Sequence, residues 1–374
     1  MPARASIPVN RPLLDGNETR YILEAIESGW ISSEGPFVQE FERRFAKVVG
    51  RRHGVAVANG SAALDIAVTG LGIGPGDEVI LPSFTIISCA AAIVRAGATP
   101  VVVDSDAATW NIDVTQIEAK LTPRTRALMV VHIYGLPCDM DPILGIAERR
   151  GLAVIEDAAE AHGQTYCGRP CGSFGEISTF SFYPNKLVTT GEGGMIVTDD
   201  VALAEACRRL RNLCFLPERR FVHEELGWNY RFTNLQAALG LAQLEQLDRA
   251  VRRKREIGAR YTQRLAGRRE LQLPLQRQQF ADNIYWVYGL VLEDSLGLDA
   301  RQFMARLAER GIGTRPFFWP MHEQPVLRKL GFCTDVACPI AERLARRGLY
   351  LPSGVGLTDA EIDIVADAVE EILG

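Results

Sequence analysis

The chain runs to 374 residues, 47% apolar and 23% charged, with a formal net charge of −5. That length exceeds what one small core organises and suits a large domain joined to a smaller one. The acidic balance argues against an electrostatic nucleic-acid footprint, and the basic run Arg252-Arg253-Lys254-Arg255 lies on a helical pattern with acidic neighbours, as a solvated face does.

The opening residues, MPARASIPVN, lack the apolar core of a signal peptide, so the expected location is the cytoplasm. From about Gly54 to Asp199, short apolar runs alternate with helical patterns. Val55-Ala56-Val57-Ala58 precedes a helix from Ser61. Glu78-Val79-Ile80-Leu81 precedes another through Ala90–Arg95. The glycines at 70, 72, 74 and 76 lead into a strand rather than a helix, so they form a loop and not a dinucleotide fingerprint. The longest apolar run, Ile86 to Val94 broken by Ser88, is too short to span a bilayer, and no membrane association is expected. Three further runs end on polar residues: Pro100–Val103 at Asp104, Ala127–Val131 at His132, and Leu152–Ile155 at Glu156-Asp157. Continuous rather than alternating hydrophobicity predicts strands buried on both faces of a mostly parallel sheet. The expected class is therefore α/β with helices on both sides.

Asn59, Ser83, Asp104, His132 and Asp157 would collect at the carboxyl ends of these strands, the edge where open α/β sheets bind ligands. Ser178–Phe182 and Met195–Thr198 are expected in the same sheet. A long helical stretch from Leu235 through Leu265 then bridges to a smaller α/β unit. That unit has a strand over Trp286–Leu292, a helix over Arg301–Arg310, and a last helix opened by the capping box Thr358-Asp359-Ala360-Glu361. The expected division is residues 1–245, with an N-terminal arm, and 246–374. The eight cysteines are not a disulfide framework, and neither Cys167 and Cys171 nor Cys333 and Cys338 have a histidine nearby in sequence, so no metal is expected.

The most distinctive stretch is Phe180-Ser181-Phe182-Tyr183-Pro184-Asn185-Lys186, running on to Thr189-Thr190-Gly191-Glu192-Gly193-Gly194. An apolar strand ends in one lysine, and a glycine-rich turn follows. This suits an amine that must reach a carbonyl carbon held against bare backbone, and the aldehyde of pyridoxal phosphate is the most economical such carbonyl. A surface lysine in a turn accounts for the motif alone nearly as well. Asp157, 29 positions upstream at a buried strand end, changes the balance. A carboxylate aimed at a pyridine nitrogen keeps that nitrogen protonated, so the ring acts as an electron sink. Asn59-Gly60-Ser61-Ala62-Ala63 offers a phosphate the backbone N–H groups and dipole of a helix start, although by itself it reads better as an ordinary serine cap. Ser181 is a second candidate phosphate donor.

These segments resemble the DegT/StrS-type nucleotide-sugar aminotransferases nearly end to end. The shared segments also include Gly29-Trp30-Ile31-Ser32-Ser33, Pro82-Ser83-Phe84-Thr85, Glu156-Asp157-Ala158-Ala159-Glu160-Ala161 and Gly227-Trp228-Asn229-Tyr230-Arg231. Asn234 and Leu351-Pro352-Ser353 complete the match. The resemblance implies the pyridoxal-phosphate fold-type I architecture, aspartate aminotransferase-like, with a mostly parallel seven-stranded sheet and a smaller C-terminal α/β domain.

The resemblance further implies that Lys186 forms the imine with the cofactor, Asp157 pairs with the pyridinium nitrogen, and Glu160 sits near the ring hydroxyl. Ser61, the amide of Ala62, and Ser181 would hold the phosphate. Asn229 would reach the phosphate of the neighbouring subunit in a homodimer with shared sites. Trp30, Arg231, Arg315 and His322 are candidate contacts for glutamate or a nucleotide keto-sugar, each equally accounted for as a solvated or interface residue. Two departures stand out: Ile86 replaces an aromatic that stacks on the cofactor, and many members carry glutamine at Glu160.

Leu14-Asp15-Gly16-Asn17-Glu18, Cys138-Asp139-Met140-Asp141-Pro142-Ile143-Leu144 and the Arg315-Pro316 to His322 segment are most similar to the perosamine-forming subfamily. Its members aminate C4 of GDP-4-keto-6-deoxymannose. Other nucleotide keto-sugars, a pyridoxal-phosphate dehydratase, and a non-catalytic cofactor-binding regulator are the alternatives. A related dehydrating subgroup has histidine at the position of Lys186, which favours amino transfer.

Overall fold

Short runs that are apolar at every position suit strands covered on both sides, and the sheet they build here is buried accordingly. A computed structural model of the chain describes residues 6–216 and 218–374. Its main sheet comprises β1 (His53–Val57), β2 (Glu78–Pro82), β3 (Thr99–Val103), β4 (Thr125–Val131), β5 (Ala153–Asp157), β6 (Ile177–Ser181) and β7 (Gly194–Thr198), in the order β1-β7-β6-β5-β4-β2-β3. Neighbours from β6 to β3 pair in parallel, while β7 runs antiparallel to both β6 and β1. The sheet is thus mostly parallel and seven-stranded, as expected. Val79 and Leu81 of β2 enter the apolar cluster on one face and Ile80 the cluster on the other, as a two-residue period demands.

Helices α1 (Glu18–Glu27), α2 (Pro36–Val48), α3 (Gly60–Gly70), α4 (Ile87–Arg95), α5 (Met140–Arg150) and α6 (Val201–Arg211) accompany the sheet. The predicted long helix after residue 234 is two: α7 (Asn234–Glu245) and α8 (Leu247–Leu265), broken at Gln246 (φ −100°, ψ 2°). The physical reason is a change of partner. α7 is apolar nearly all round and packs on α1 and α2, whereas α8 is amphipathic and turns to lie along the last helix.

The second sheet has β8 (Leu271–Gln272), β9 (Tyr288–Leu292), β10 (Arg315–Pro316) and β11 (Gly348–Leu351), ordered β8-β9-β11-β10 and antiparallel throughout. With it come α9 (Ala300–Glu309), α10 (Pro325–Lys329), α11 (Pro339–Arg347) and α12 (Asp359–Leu373). The Thr358–Glu361 capping box is formed, and Ile362, Val365, Ala366 and Val369 are buried against Tyr261, Leu265 and Phe303. The two cores exchange segments. Ile7 of the N-terminal arm sits in the second core, while Phe317, Met321, Leu327 and Leu344 sit in the first. No helix of the described residues is long and apolar enough to cross a membrane.

Candidate active site

Backbone geometry sets the lysine turn before any side chain does. Phe182 N–H donates to Gly193 O at 2.8 Å, Thr190 N–H to Phe182 O at 3.0 Å, and Lys186 N–H to Tyr183 O at 2.9 Å. The glycines answer to close approach: a Cβ on Gly194 would lie 2.5 Å from Asn59 O, and one on Gly60 would lie 2.8 Å from the Ser181 Cβ. Only glycine lets the end of β6, the start of β7 and the start of α3 touch.

These elements open on a cavity of about 340 Å³ at the carboxyl edge of the sheet, lined by Gly60, Ser61, Asp157, Glu160, Ser181 and Lys186 among others. Asp157, the last residue of β5, is buried; its Oδ1 accepts from Ala159 N–H at 3.1 Å and its Oδ2 from the Cys89 thiol at 3.3 Å. Glu160 Oε2 accepts from Tyr134 N–H at 2.8 Å, and Glu160 Oε1 lies 3.8 Å from Lys186 Nζ. Burial pushes the Lys186 ammonium down from its usual range against the opposing pull of Glu160 and Asp157. Burial likewise raises Glu160, to about 7, although Lys186 and the Tyr134 amide oppose it. Asp157 is raised by burial and held back by the Ala159 amide and Cys89.

The phosphate-side residues need one correction. Asn59, with extended backbone, accepts Ala62 N–H on its Oδ1 at 2.8 Å, so the Ala62 amide is committed to capping α3 and does not line the cavity. Gly60 and Ser61 line it instead, and the Ser61 hydroxyl sits 2.7 Å from Ser88, a residue no motif singled out.

Outside this floor the candidates scatter. His322 is fully buried, with Nδ1 2.8 Å from Ser83 Oγ and Nε2 3.0 Å from Glu342, so it pins α11 to the main sheet and does not line the cavity. Arg231 donates to Asn229 Oδ1 and Asn212 Oδ1, both at 3.0 Å, and neither Arg231 nor Asn229 lines the cavity. Trp30 is half exposed and Arg315 is exposed on β10. Ile86 does line the cavity, whereas Phe84 is buried beneath it against Tyr134 and Phe318.

Of the five polar strand ends, only Asn59 and Asp157 reach the cavity. Ser83 holds His322. Asp104 accepts the Ile340 and Ala341 amides at 3.0 and 2.9 Å, at the start of α11. His132 accepts Cys138 N–H on Nδ1, so its Nε2 carries the hydrogen and donates to Glu156 at 2.8 Å. His132 and Glu156 also bring a histidine within 4.8 Å of Cys171, a neighbour that sequence spacing had ruled out because it lies 39 positions away.

The cavity's aromatic wall was not legible as a motif. Trp286, Phe318 and Tyr350 come from the C-terminal third of the chain and line the cavity together with Lys186, the Trp286 ring lying directly against it. Trp286 was expected only as the first residue of a strand that in fact starts at Tyr288.

Pyridoxal phosphate suits this donor set. A buried amine and a buried carboxylate flank the floor, and the start of α3 with Ser61 stands at one end beside Ser181, the last residue of β6. Fold and site together define a fold-type I, pyridoxal-phosphate-dependent aminotransferase. The chain belongs to the DegT/DnrJ/EryC1/StrS aminotransferase family, whose model matches residues 12–370. It is 46% identical over 367 residues to GDP-perosamine synthase of Caulobacter vibrioides, with 98% of each chain covered. It is 42% identical over 366 residues to GDP-perosamine synthase of Escherichia coli O157:H7, again with 98% of each covered. Among solved structures, the aminotransferase TlmJ from Streptoalloteichus hindustanus aligns with a TM-score of 0.91 at 33% identity over 98% of each chain.

Proposed function

We propose that this chain moves an amino group from glutamate to C4 of GDP-4-keto-6-deoxymannose, forming GDP-perosamine. The observation that carries this is a buried Lys186 amine facing Asp157 and Glu160, in a chain 46% identical over nearly its full length to a GDP-perosamine synthase. Lys186 and Asp157 are the catalytic pair. Asp157 would face the cofactor's ring nitrogen, Glu160 its ring hydroxyl, and Ser61 and Ser181 its phosphate. When bound, the cofactor supplies the electron sink for the pair left behind as a proton departs.

Lys186 Nζ takes the α-proton of glutamate and in the second half-reaction returns a proton to C4 of the sugar; one positioned acid–base group of this kind contributes typically ~10²–10⁴-fold. The aromatic wall of Trp286, Phe318 and Tyr350 keeps water from that amine. Arg315, beside Tyr350 on the neighbouring strand, and Trp30 are the substrate contacts this reading retains. Arg231 serves instead to orient Asn229.

The same reading includes a homodimer in which Asn229 reaches the partner's phosphate, a cytoplasmic location, and a functional division at residues 245/246. Support for the dimer comes from two large apolar side chains left in solvent, Phe221 and Leu226, 81% and 93% exposed. The decisive experiment incubates the purified protein with glutamate and a panel of GDP-, UDP- and dTDP-linked 3- and 4-keto-sugars, with products identified by mass and NMR. GDP-perosamine is the expected amine. An amine on another sugar overturns the substrate, and no amine at all overturns the reaction.

A further inference from the structure

We infer that Trp286 is the residue that holds Lys186 in its ammonium form and fixes the turn that carries it. Lys186 Nζ lies 3.6 Å from the centre of the Trp286 ring, well inside the range over which an aromatic face attracts a cation. The indole N–H of the same residue donates to Asn185 O at 2.9 Å, so one side chain grips both the amine and the backbone next to it. Trp286 is itself buried and braced by Tyr134, whose ring is tilted 33° to it at 6.0 Å. The inference rests on Lys186 as the reacting amine and not on which keto-sugar accepts the amino group.

The chemistry needs such a group. Nζ begins each transfer as a neutral amine, accepts a proton with its lone pair, and is an ammonium until it passes that proton on. A buried ammonium is costly unless something compensates it. Besides the Phe318 ring and the Tyr350 phenol, which line the same cavity, three titratable groups face Nζ. Glu160 stands 3.8 Å away, Asp157 lies across the cavity floor, and His162 lies beneath the turn. His162 is pushed down to about 3 by burial and by Lys186, so it stays neutral and adds no competing charge. Asp157 is engaged with Ala159 and Cys89 and is needed at the ring nitrogen. Trp286 is then the neighbour whose ring face lies against Nζ, stabilising the ammonium without offering a base that would keep the proton.

The test uses full-length protein freed of cofactor. Lys186 is labelled with an amine-reactive reagent across a pH series, and its modification is read by peptide mass spectrometry. Trp286→Leu removes ring and N–H; its labelling midpoint is expected about one pH unit below wild type, a ~10-fold loss of proton affinity. Trp286→Phe keeps a ring face and is expected to fall between the two. On the cofactor-loaded enzyme, the single-turnover rate with glutamate should drop roughly tenfold in Trp286→Leu with the KM for glutamate little changed.

Should Trp286→Leu fail to fold, growth on fluorotryptophan weakens the ring face while keeping its shape. Only Trp286, of the chain's 5 tryptophans, carries Lys186 on its face, so its effect on the midpoint is specific. An unchanged midpoint in the fluorinated protein, or in both point variants, overturns the inference.

Discussion

Two glutamates four residues apart, Glu156 and Glu160, are both buried, both beside a basic group, and do opposite things. Glu156 accepts from His132 Nε2, the amides of Gly172 and Phe174, and the Ser178 hydroxyl at 2.6–2.9 Å. Burial would raise it, yet His132 and the two amides hold it below the ordinary carboxylate range. Glu160 has one close amide donor and a basic partner 3.8 Å off, and burial wins. The first is a carboxylate whose lone pairs are used up; it ties the loop after β5 to the strand edge. The second keeps its proton negotiable and stands in the cavity. Saturation with donors separates a structural buried charge from a chemical one.

The largest test of that separation removes the amine. Lys186→Ala should abolish the absorbance of lysine-bound cofactor and cut turnover by at least about 10²–10⁴-fold, while chemical denaturation stays close to wild type. A large loss of stability there would mean that the turn, and not the amine, is what Lys186 serves. Next comes His132→Ala. It leaves the buried Glu156 carboxylate without its imidazole N–H donor, and urea unfolding should show a loss of ~3 kcal/mol. A loss under about 1 kcal/mol, the range of an exposed pair, would place Glu156 among incidental contacts.

The smallest effect is the most diagnostic. Glu160 titrates near 7 in the fold against 4.5 when free, so its folded value is raised. Its contribution to stability is therefore complete below pH ~4.5 and is lost as pH rises through ~7. Glu156 has the opposite sign: its value is depressed, its contribution is present above the free value, and acid removes it. Glu160→Gln should flatten the stability of the cofactor-free protein between pH 5 and 8 while leaving its acid limb alone. An unaltered slope over that window would show that Glu160 is not the titrating group.

Much of this was legible in sequence because it is local. Short runs such as Val79–Leu81, apolar at every position, suit sheet interior. Thr358 stands where the last helix needs a cap, whereas the cap expected at Ser61 is made by Asn59, two residues earlier. Lys186 follows a strand and precedes glycines that the touching backbones at Gly60 and Gly194 require. Asp157 was within reach for the same reason, as the polar end of an apolar run.

What sequence could not show was which polar strand end faces which partner. Ser83 and Asp104 look as functional as Asp157, but the order β1-β7-β6-β5-β4-β2-β3 places β2 and β3 at one margin, where His322 and α11 cover them. β1, β6 and β5 converge instead on the cavity. Trp286 was invisible because nothing in its own neighbourhood marks it; it meets Lys186 across 100 residues of chain. Strand interiors and caps follow from periodicity and backbone valence within a few residues. The company a buried charge keeps depends on strand order and on how the second core docks, and only the tertiary structure decides that.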